Sequence, residues 1–244
     1  MRPTAEPLDL SERGANGTKS DRRLFMQLLV FSGWRADHAR LADALRNTGL
    51  SHVLYENAND PQGVGLLTFS ENPDDFLVRM RPVLRTSLFS TLTLKPEYTM
   101  LGRSYALGYE PDLDEALVGR HTRHALDAET PWHVWYPLRR AGEFETLSRD
   151  DQMAVLKEHG EIGFRFGASG LARDIRLDCR GLGGADNDFV IGLLGKDLAP
   201  LSILVATMRK TKQTSVYLES IGPFFVGKAV WWVKGADTGA LPAQ

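Results

Sequence analysis

The same order of apolar and polar segments occurs twice along the chain. In the first half, the apolar run at residues 24–31 predicts a buried strand, and Leu41, Ala42 and Leu45 then recur at helical spacing. Two short strands at 51–56 and 65–69 are predicted next, then a helix opened by residues 72–75 and carrying Phe76, Leu77 and Met80, and a last strand within 88–109. The predicted order is β-α-β-β-α-β.

The second half repeats this order after roughly 100 residues. Its predicted elements are a strand at 133–138, a helix at 148–166, strands near 175–179 and 189–194, a helix at 197–210 and a strand around 224–233. Two tandem βαββαβ units of the ferredoxin-like type predict an α+β protein, a dimeric α+β barrel in which two antiparallel sheets lie together. A flat ligand would have room between one sheet and its helices.

The two repeats divide the chain into five predicted parts. They are an extended or disordered N-terminal arm at 1–23, a first repeat at 24–109, a linker at 110–130, a second repeat at 131–234 and a C-terminal tail at 235–244. We expect His121 and His124 of the linker to be solvated. Between the second-half strands, the run Gly181-Leu182-Gly183-Gly184 predicts a hairpin turn and not a phosphate loop, because it lacks the GxGxxG spacing.

Composition excludes several classes of protein. A formal net charge of -2 and a pI near 6.3 give no general attraction to nucleic acid or to an anionic membrane. No segment reaches the roughly 18 apolar residues of a membrane span, and no signal peptide is recognisable at the N-terminus. Cys179 is the only cysteine, so we expect a cytoplasmic protein without a disulfide.

His159 is the histidine whose surroundings suggest chemistry. It falls within the predicted helix 148–166, on an apolar stripe formed by Met153, Leu156, Ile162, Gly163 and Phe166. Such a histidine is commonly a core residue bonded to backbone. Gly160 and Gly163 would, however, let a planar group approach the helix closely, which favours a role as metal ligand.

A set of basic residues flanks the predicted strands and the last helix. If some of them converge on the cleft beside His159, they would suit the carboxylates of a porphyrin; otherwise they form a solvated face. They are Arg139, Arg140, Arg173, Arg176, Arg209, Lys210 and Lys212.

Several motifs in order make the sequence similar to a known family over roughly residues 24–233. The family is the chlorite dismutase and coproheme decarboxylase superfamily of haem proteins. The motifs are Trp135-Tyr136-Pro137-Leu138-Arg139-Arg140, Leu156-Lys157-Glu158-His159-Gly160-Glu161-Ile162-Gly163, Asp188-Phe189-Val190, Met208-Arg209 and Gly222-Pro223-Phe224-Phe225-Val226-Gly227.

The resemblance implies roles for single residues. His159 would be the proximal iron ligand, and Tyr136 would match the tyrosine that coproheme decarboxylases oxidise to a radical that attacks the propionates. Arg140 falls where that subgroup has a propionate-contacting lysine. Arg209 and Thr214 fall where it has an arginine and a serine near the same groups.

True chlorite dismutases differ from this chain in three places. They usually have an aliphatic residue where this chain has Tyr136. Phe144-Glu145 takes the place of their Trp-Trp pair. The glutamate that hydrogen-bonds their proximal histidine would fall near Leu194 here. Loss of that carboxylate predicts a weaker axial bond and a higher iron potential, which disfavours chlorite chemistry.

The resemblance leaves the distal side of the iron open. Chlorite dismutases have a catalytic arginine 13 residues after the histidine, where this chain has Ala172, and Arg173 follows at 14. A one-residue insertion would bring Arg173 into register as a catalytic residue. Arg176, or no residue, is the alternative, and the glutamine or histidine of the decarboxylases is not found at this site.

The function that the resemblance implies is peroxide-dependent decarboxylation of iron coproporphyrin to haem b, a step of haem biosynthesis. One alternative is a chlorite dismutase-like or peroxidase-type haem enzyme that uses a distal arginine; another is a haem carrier or sensor without turnover. The cofactor would be haem b or iron coproporphyrin, the co-substrate hydrogen peroxide, and the assembly a homo-oligomer, by resemblance a homopentamer.

Overall fold

The first repeat folds into the elements that its pattern predicts. A computed structural model describes residues 8–235, and most of the predicted C-terminal tail lies outside that range. The strands of this half are β1 (Glu12–Arg13), β2 (Lys19–Ser20), β3 (Phe25–Ser32), β4 (Ser51–Asn57), β5 (Val64–Ser70), β6 (Thr93–Leu94) and β7 (Met100–Arg103). The helices are α1 (His38–Leu45), a π-helical turn at Phe76–Met80 and α2 (Arg81–Thr86).

The second repeat also follows its predicted order. After a π-helical turn at Glu115–Gly119, its helices are α3 (Arg120–Ala125), α4 (Gly142–Glu145), α5 (Arg149–Ala168), α6 (Leu198–Met208) and α7 (Lys212–Tyr217). Its strands are β8 (Trp132–Arg140), β9 (Arg173–Asp178), β10 (Phe189–Gly195), β11 (Leu218–Ile221) and β12 (Phe225–Val233). Short 3-10 helices occupy Ala15–Gly17, Arg46–Thr48, Leu88–Thr91 and Pro96–Tyr98.

The strands of both repeats join into one closed antiparallel barrel. Their order is β10-β9-β7-β3-β5-β4-β12-β8, and β8 pairs back with β10. The seam between β7 and β9 rests on a single residue pair, Arg103 opposite Asp178, whose side chains also form an ion pair at 3.2 Å. Alternate residues of the strands fill the interior, which includes Met26, Tyr55 and Trp135. The α+β barrel predicted from the two repeats is therefore confirmed.

Two helical layers cover the outside of the barrel, and they are buried to different degrees. In the first repeat, Phe31 and Phe89 meet edge to face at 5.4 Å within a layer whose central side chains are fully buried. In the second repeat, a smaller buried cluster around Leu201 is surrounded by many apolar side chains that are only half-buried. The layer under α5 and α6 is thus the one whose apolar side chains remain partly exposed.

Three details correct the sequence analysis. The predicted linker is partly helical, since it contains α3, whose Ala125 packs into the barrel interior. His121 is buried and not solvated, because α3 places its Nε2 3.3 Å from the Arg176 carbonyl oxygen. Part of the predicted N-terminal arm is a paired β-hairpin formed by β1 and β2.

Within residues 8–235, no helix is both long and apolar enough to cross a membrane.

Candidate functional site

His159 lies on the side of α5 that faces the sheet. Helix α5 starts at Ser148, whose Oγ accepts a hydrogen bond from the Asp151 backbone N–H at 3.2 Å. Ile162 and Phe166, three and seven residues after His159, pack into the half-buried layer and so mark the inward face of the helix. Met153 and Leu156, at the N-terminal part of the predicted stripe, are exposed instead.

The imidazole of His159 has one anchored nitrogen. Its Nδ1 lies 3.3 Å from Thr211 Oγ1. Burial lowers the pKa of His159, and the nearby cations Arg176 and Arg140 lower this pKa further. The ring is therefore held neutral at neutral pH, which is the form that binds a metal through its other nitrogen.

The two glycines beside His159 differ in their surroundings. A Cβ at Gly160 would meet no atom within 4 Å, so this side of the helix is open. A Cβ at Gly163 would come within 3.4 Å of the Met208 methyl group. The absence of a side chain at Gly163 thus serves the contact between α5 and α6, whereas Gly160 leaves space next to His159.

The floor of the site is a row of side chains on three neighbouring strands. Tyr136 of β8 lies directly opposite Ile191 of β10, and Ile191 lies opposite Arg176 of β9. Directly opposed residues share one face of a sheet, so Tyr136 and Arg176 both face the helices. Arg140 follows Tyr136 by four positions on β8 and continues the same face.

Tyr136 is a buried aromatic residue of this floor. Its ring lies against Phe224 at 4.6 Å between centroids, with the planes inclined by 31°. Burial raises the pKa of Tyr136; the Asp174 carboxylate raises it further, and Arg209 acts in the opposite direction. The phenol therefore keeps its proton.

A cavity of about 340 Å³ lies between α6 and the floor. Val134, Leu201 and Phe224 give it an apolar lining, and Arg209 supplies a cation whose Cζ is 5.9 Å from the Phe224 ring centre. An apolar cavity with one convergent cation is typical of a site for an amphiphilic anion.

Arg140 is held by aromatic rings rather than by one strong ion pair. Its Cζ lies 4.2 Å from the ring centre of Phe144 and 5.1 Å from that of Phe189, while Glu145 is 3.7 Å from its Nη1. Burial lowers the pKa of Arg140. Its buried Nε has no hydrogen-bond partner within residues 8–235, so this guanidinium has a donor to offer an anion.

The two candidate distal arginines lie on opposite faces of β9. Arg173 lies opposite Leu194, whose side chain fills the barrel interior, and its guanidinium pairs with Asp127. Arg176 is on the helix-facing side with Tyr136, and its Nε lies 2.9 Å from Asp174. The register therefore separates Arg173 from the floor of the site and brings Arg176 to it, because three positions along a strand change the face.

Thr214 and Thr211 lie beside His159. Thr214 Oγ1 is 3.4 Å from Thr211 Oγ1, so Thr214 reaches the histidine only through Thr211. The sequence analysis identified Thr214 through the resemblance and missed Thr211, Asp174 and Phe224. Thr211 is in direct contact with the imidazole, yet no motif marks it.

The residues of the site fit an iron porphyrin in chemistry. The half-buried apolar side chains of this layer suit the flat faces of a macrocycle, and the neutral imidazole of His159 suits its iron. Arg140 and Arg209 suit its carboxylates, since guanidinium groups pair with them bidentately.

Comparison with known proteins assigns the family. The family model described as chlorite dismutase matches residues 41–230. The chain belongs to the chlorite dismutase family. A comparison with curated protein sequences finds no match.

Solved structures of family members share this fold at low sequence identity. A haem-binding protein from Thermus thermophilus is 18% identical with a TM-score of 0.66, and the match covers 86% of this chain and 91% of that one. A chlorite dismutase variant from Candidatus Nitrospira defluvii in complex with cyanide is 14% identical with a TM-score of 0.65, covering 86% of this chain and 92% of that one. At these identities the match establishes the barrel and not the reaction.

Proposed function

We propose that this member of the chlorite dismutase family binds an iron porphyrin through His159 and converts iron coproporphyrin to haem b. One observation carries the proposal: Tyr136, a protonated phenol, shares a sheet face with Arg140 and belongs to the apolar cluster against which Ile162, on the helix that holds His159, packs. The family and the haem-binding protein from Thermus thermophilus support the cofactor.

The reaction needs an oxidant and a group that takes hydrogen from the propionate. Each propionate, one hydrogen peroxide and one proton give a vinyl group, one carbon dioxide and two waters, so peroxide accepts the two electrons that the propionate loses. The bound iron would supply the reactivity with peroxide. Tyr136 would lose its phenolic hydrogen atom and then take one from the propionate chain.

The surrounding residues would orient the propionates and protect the tyrosine. Arg140, whose Nε has no hydrogen-bond partner among residues 8–235, and Arg209, which lines the cavity, would each pair with a carboxylate. Phe224 covers the ring of Tyr136 and limits water at its hydroxyl. Positioning of this kind turns an encounter between radical and substrate into a reaction within one complex.

A second candidate function is a peroxidase-type or oxyanion-splitting haem enzyme. The observation that favours it is the pair formed by Arg176 and Asp174, which presents a cation and a carboxylate on the floor beside Tyr136. Such a pair would polarise an oxidant bound at the iron and move its proton. In this function Arg176 would be the distal catalytic arginine, a role that the spacing from His159 first suggested for Arg173.

Mass spectrometry of the porphyrin distinguishes these functions. The purified protein is given iron coproporphyrin and then hydrogen peroxide, and the pigment is extracted over time. Successive loss of two carboxyl groups supports the decarboxylase. Rapid use of peroxide with all four propionates intact would overturn it in favour of the peroxidase, and stable binding without reaction would indicate a carrier or sensor.

A variant of the axial residue tests the iron site. His159→Ala should remove the Soret band of a histidine-ligated haem while leaving the circular dichroism unchanged, because only the iron bond is lost. His38→Ala, at the half-buried start of α1 where His38 lies beside Glu56, is the matched control and should leave the band in place. An unchanged spectrum in His159→Ala would assign the iron to another residue.

A further inference from the structure

Thr211 is a buried residue whose hydroxyl contacts Nδ1 of His159. Within the described chain, Nδ1 is the only nitrogen of this ring that has a hydrogen-bond partner. It is 1% exposed and lies between α6 and α7. Its Oγ1 is 2.8 Å from the Met208 carbonyl oxygen and 3.3 Å from His159 Nδ1. No other hydrogen bond or ion pair of the imidazole is formed within residues 8–235.

The direction of this hydrogen bond follows from the donors available. A threonine hydroxyl has one hydrogen, and the Met208 carbonyl oxygen at 2.8 Å is a closer acceptor than Thr214 Oγ1 at 3.4 Å, so the Thr211 hydrogen goes to Met208. The lone pairs of Oγ1 are then left to accept from Nδ1–H of His159. This fixes the tautomer in which Nε2 carries the free lone pair that a metal requires.

The segment that contains Thr211 is fastened to α5 next to the histidine. The backbone N–H of Lys212 donates to Glu158 Oε2 at 2.9 Å, and the backbone N–H of Ser215 donates to the Thr211 carbonyl oxygen at 2.9 Å. The acceptor therefore moves with the helix that bears His159. Glu158 is engaged by Lys212, so its carboxylate is not the partner of the ring.

We propose that Thr211 is the positioning residue of His159, and that it sets the strength of the axial ligand at the level of a neutral hydroxyl acceptor. This rests on the proposed iron site. A carboxylate acceptor draws the Nδ1 proton more strongly and makes the imidazole a stronger ligand, whereas a hydroxyl does so weakly. Leu194, near which the resemblance places a glutamate, points into the barrel interior and has no carboxylate for that role.

Three substitutions at one position test the proposal in opposite directions. Thr211→Val keeps the shape and removes the acceptor, Thr211→Ser keeps the acceptor, and Thr211→Asp introduces a carboxylate. The readouts are the iron–histidine stretching frequency in the ferrous haem protein, by resonance Raman spectroscopy, and the reduction potential. Thr207→Val, which removes a hydroxyl of α6 that donates to the Ile203 carbonyl oxygen at 2.7 Å, is the matched control.

The expected shifts differ in sign. Thr211→Val should lower the stretching frequency and weaken ferric haem binding about tenfold relative to ferrous haem, which equals a rise in potential of about 59 mV for one electron. Thr211→Asp should shift both readouts the other way, and Thr211→Ser and Thr207→Val should match the wild type. A purely structural role would move Val and Asp in the same direction.

The result that would overturn the proposal is a wild-type frequency in both Thr211→Val and Thr211→Asp, or equal shifts in both. Comparison of Thr211→Asp with Thr211→Ser decides the matter if Thr211→Val does not fold. Failure of the proposed iron site gives a different result, because the wild type itself would then lack an iron–histidine band.

Discussion

Arg176 and Tyr136 face the same side of the sheet, each directly opposite Ile191 on the strand between them. Arg173, three positions before Arg176, faces the other side and pairs with Asp127. The cation that accompanies Tyr136 on the floor of the site is thus Arg176. Two arginines on one strand therefore have separable effects, which can be measured.

Replacement of these arginines one at a time should affect the reaction with peroxide unequally. Arg176→Ala removes the cation on the floor and should slow peroxide consumption by the haem-loaded protein by about 100-fold, the usual cost of one electrostatic contact in an active site. Arg173→Ala, the matched control, should leave the rate near that of the wild type. If Arg173→Ala consumed peroxide slowly and Arg176→Ala at the wild-type rate, the assignment of the two arginines to opposite faces of β9 would be contradicted. The measurement is stopped-flow absorbance of the haem after mixing with peroxide.

Tyr136→Phe should separate binding from turnover. The ring keeps its contact with Phe224 and loses only the hydroxyl, so iron coproporphyrin should bind nearly as well as to the wild type. Decarboxylation should fall by about 100-fold or more, because phenylalanine has no O–H to oxidise. Porphyrin mass spectra after peroxide measure the effect, with Tyr105→Phe, whose ring lies 5.8 Å from that of Phe189, as control. Equal turnover in wild type and Tyr136→Phe would remove Tyr136 from the reaction.

Arg209→Ala should discriminate between two porphyrins. A charge-assisted bond from Arg209 to a propionate that haem b lacks contributes about 1.5–3 kcal/mol, so affinity for iron coproporphyrin should fall about tenfold or more. Affinity for haem b should fall less. Arg139→Ala serves as control, since Arg139 lies on the other face of β8 and pairs with Asp186 and Glu219. Equal losses for both porphyrins, measured by absorbance titration, would make Arg209 a structural residue.

Acid should weaken the fold through the buried histidine inside the barrel. His133 accepts a hydrogen bond from the Tyr55 hydroxyl at 2.8 Å and donates to the Thr130 carbonyl oxygen at 3.0 Å, and burial lowers the pKa of His133 to about 3. Below the unfolded pKa of about 6.5 the unfolded chain takes up a proton that the folded chain does not, so stability falls as pH falls. Between pH 7 and pH 5 this histidine should cost about 2 kcal/mol.

His133→Gln tests that cost. Glutamine keeps one acceptor and one donor but does not titrate, so the variant should lose about 2 kcal/mol less than the wild type over the same pH interval. Urea unfolding at pH 7 and pH 5 measures the difference. His121, whose pKa burial lowers to about 4, remains in both proteins and provides the same background. An identical pH dependence in variant and wild type would show that folding does not lower the pKa of His133.

The fold was predictable from the chain because apolar periodicity records which faces are buried. The strand 189–194 and the helix 148–166 were placed within a few residues, since each has a clear period and a turn or cap beside it. The burial of His121 was not predictable. It depends on how α3 packs against β9, and local polarity in residues 110–130 suggested solvent.

The site was predictable only where residue type limits the chemistry. His159 stood out as a histidine on an apolar stripe, whereas Tyr136 was indicated only by the resemblance. The choice between Arg173 and Arg176 required the register of β9 against β10, because a shift of one residue exchanges the two faces. Thr211 lies 52 residues from His159 in sequence, and only the docking of the α6–α7 connection onto α5 brings them together.

The unequal burial of the two helical layers sets where this chain will tolerate substitution. Around Phe31 and Phe89, each truncation leaves a hole that no neighbour fills and costs about 3–5 kcal/mol, enough to unfold a marginal domain. The side chains around Phe224 and Ile191 are only half-buried. Truncation there therefore removes fewer contacts within the protein than contacts with a ligand bound in this layer. A library of random variants should therefore sort into two groups: first-repeat variants that fail to accumulate in cells, and second-repeat variants that accumulate without pigment.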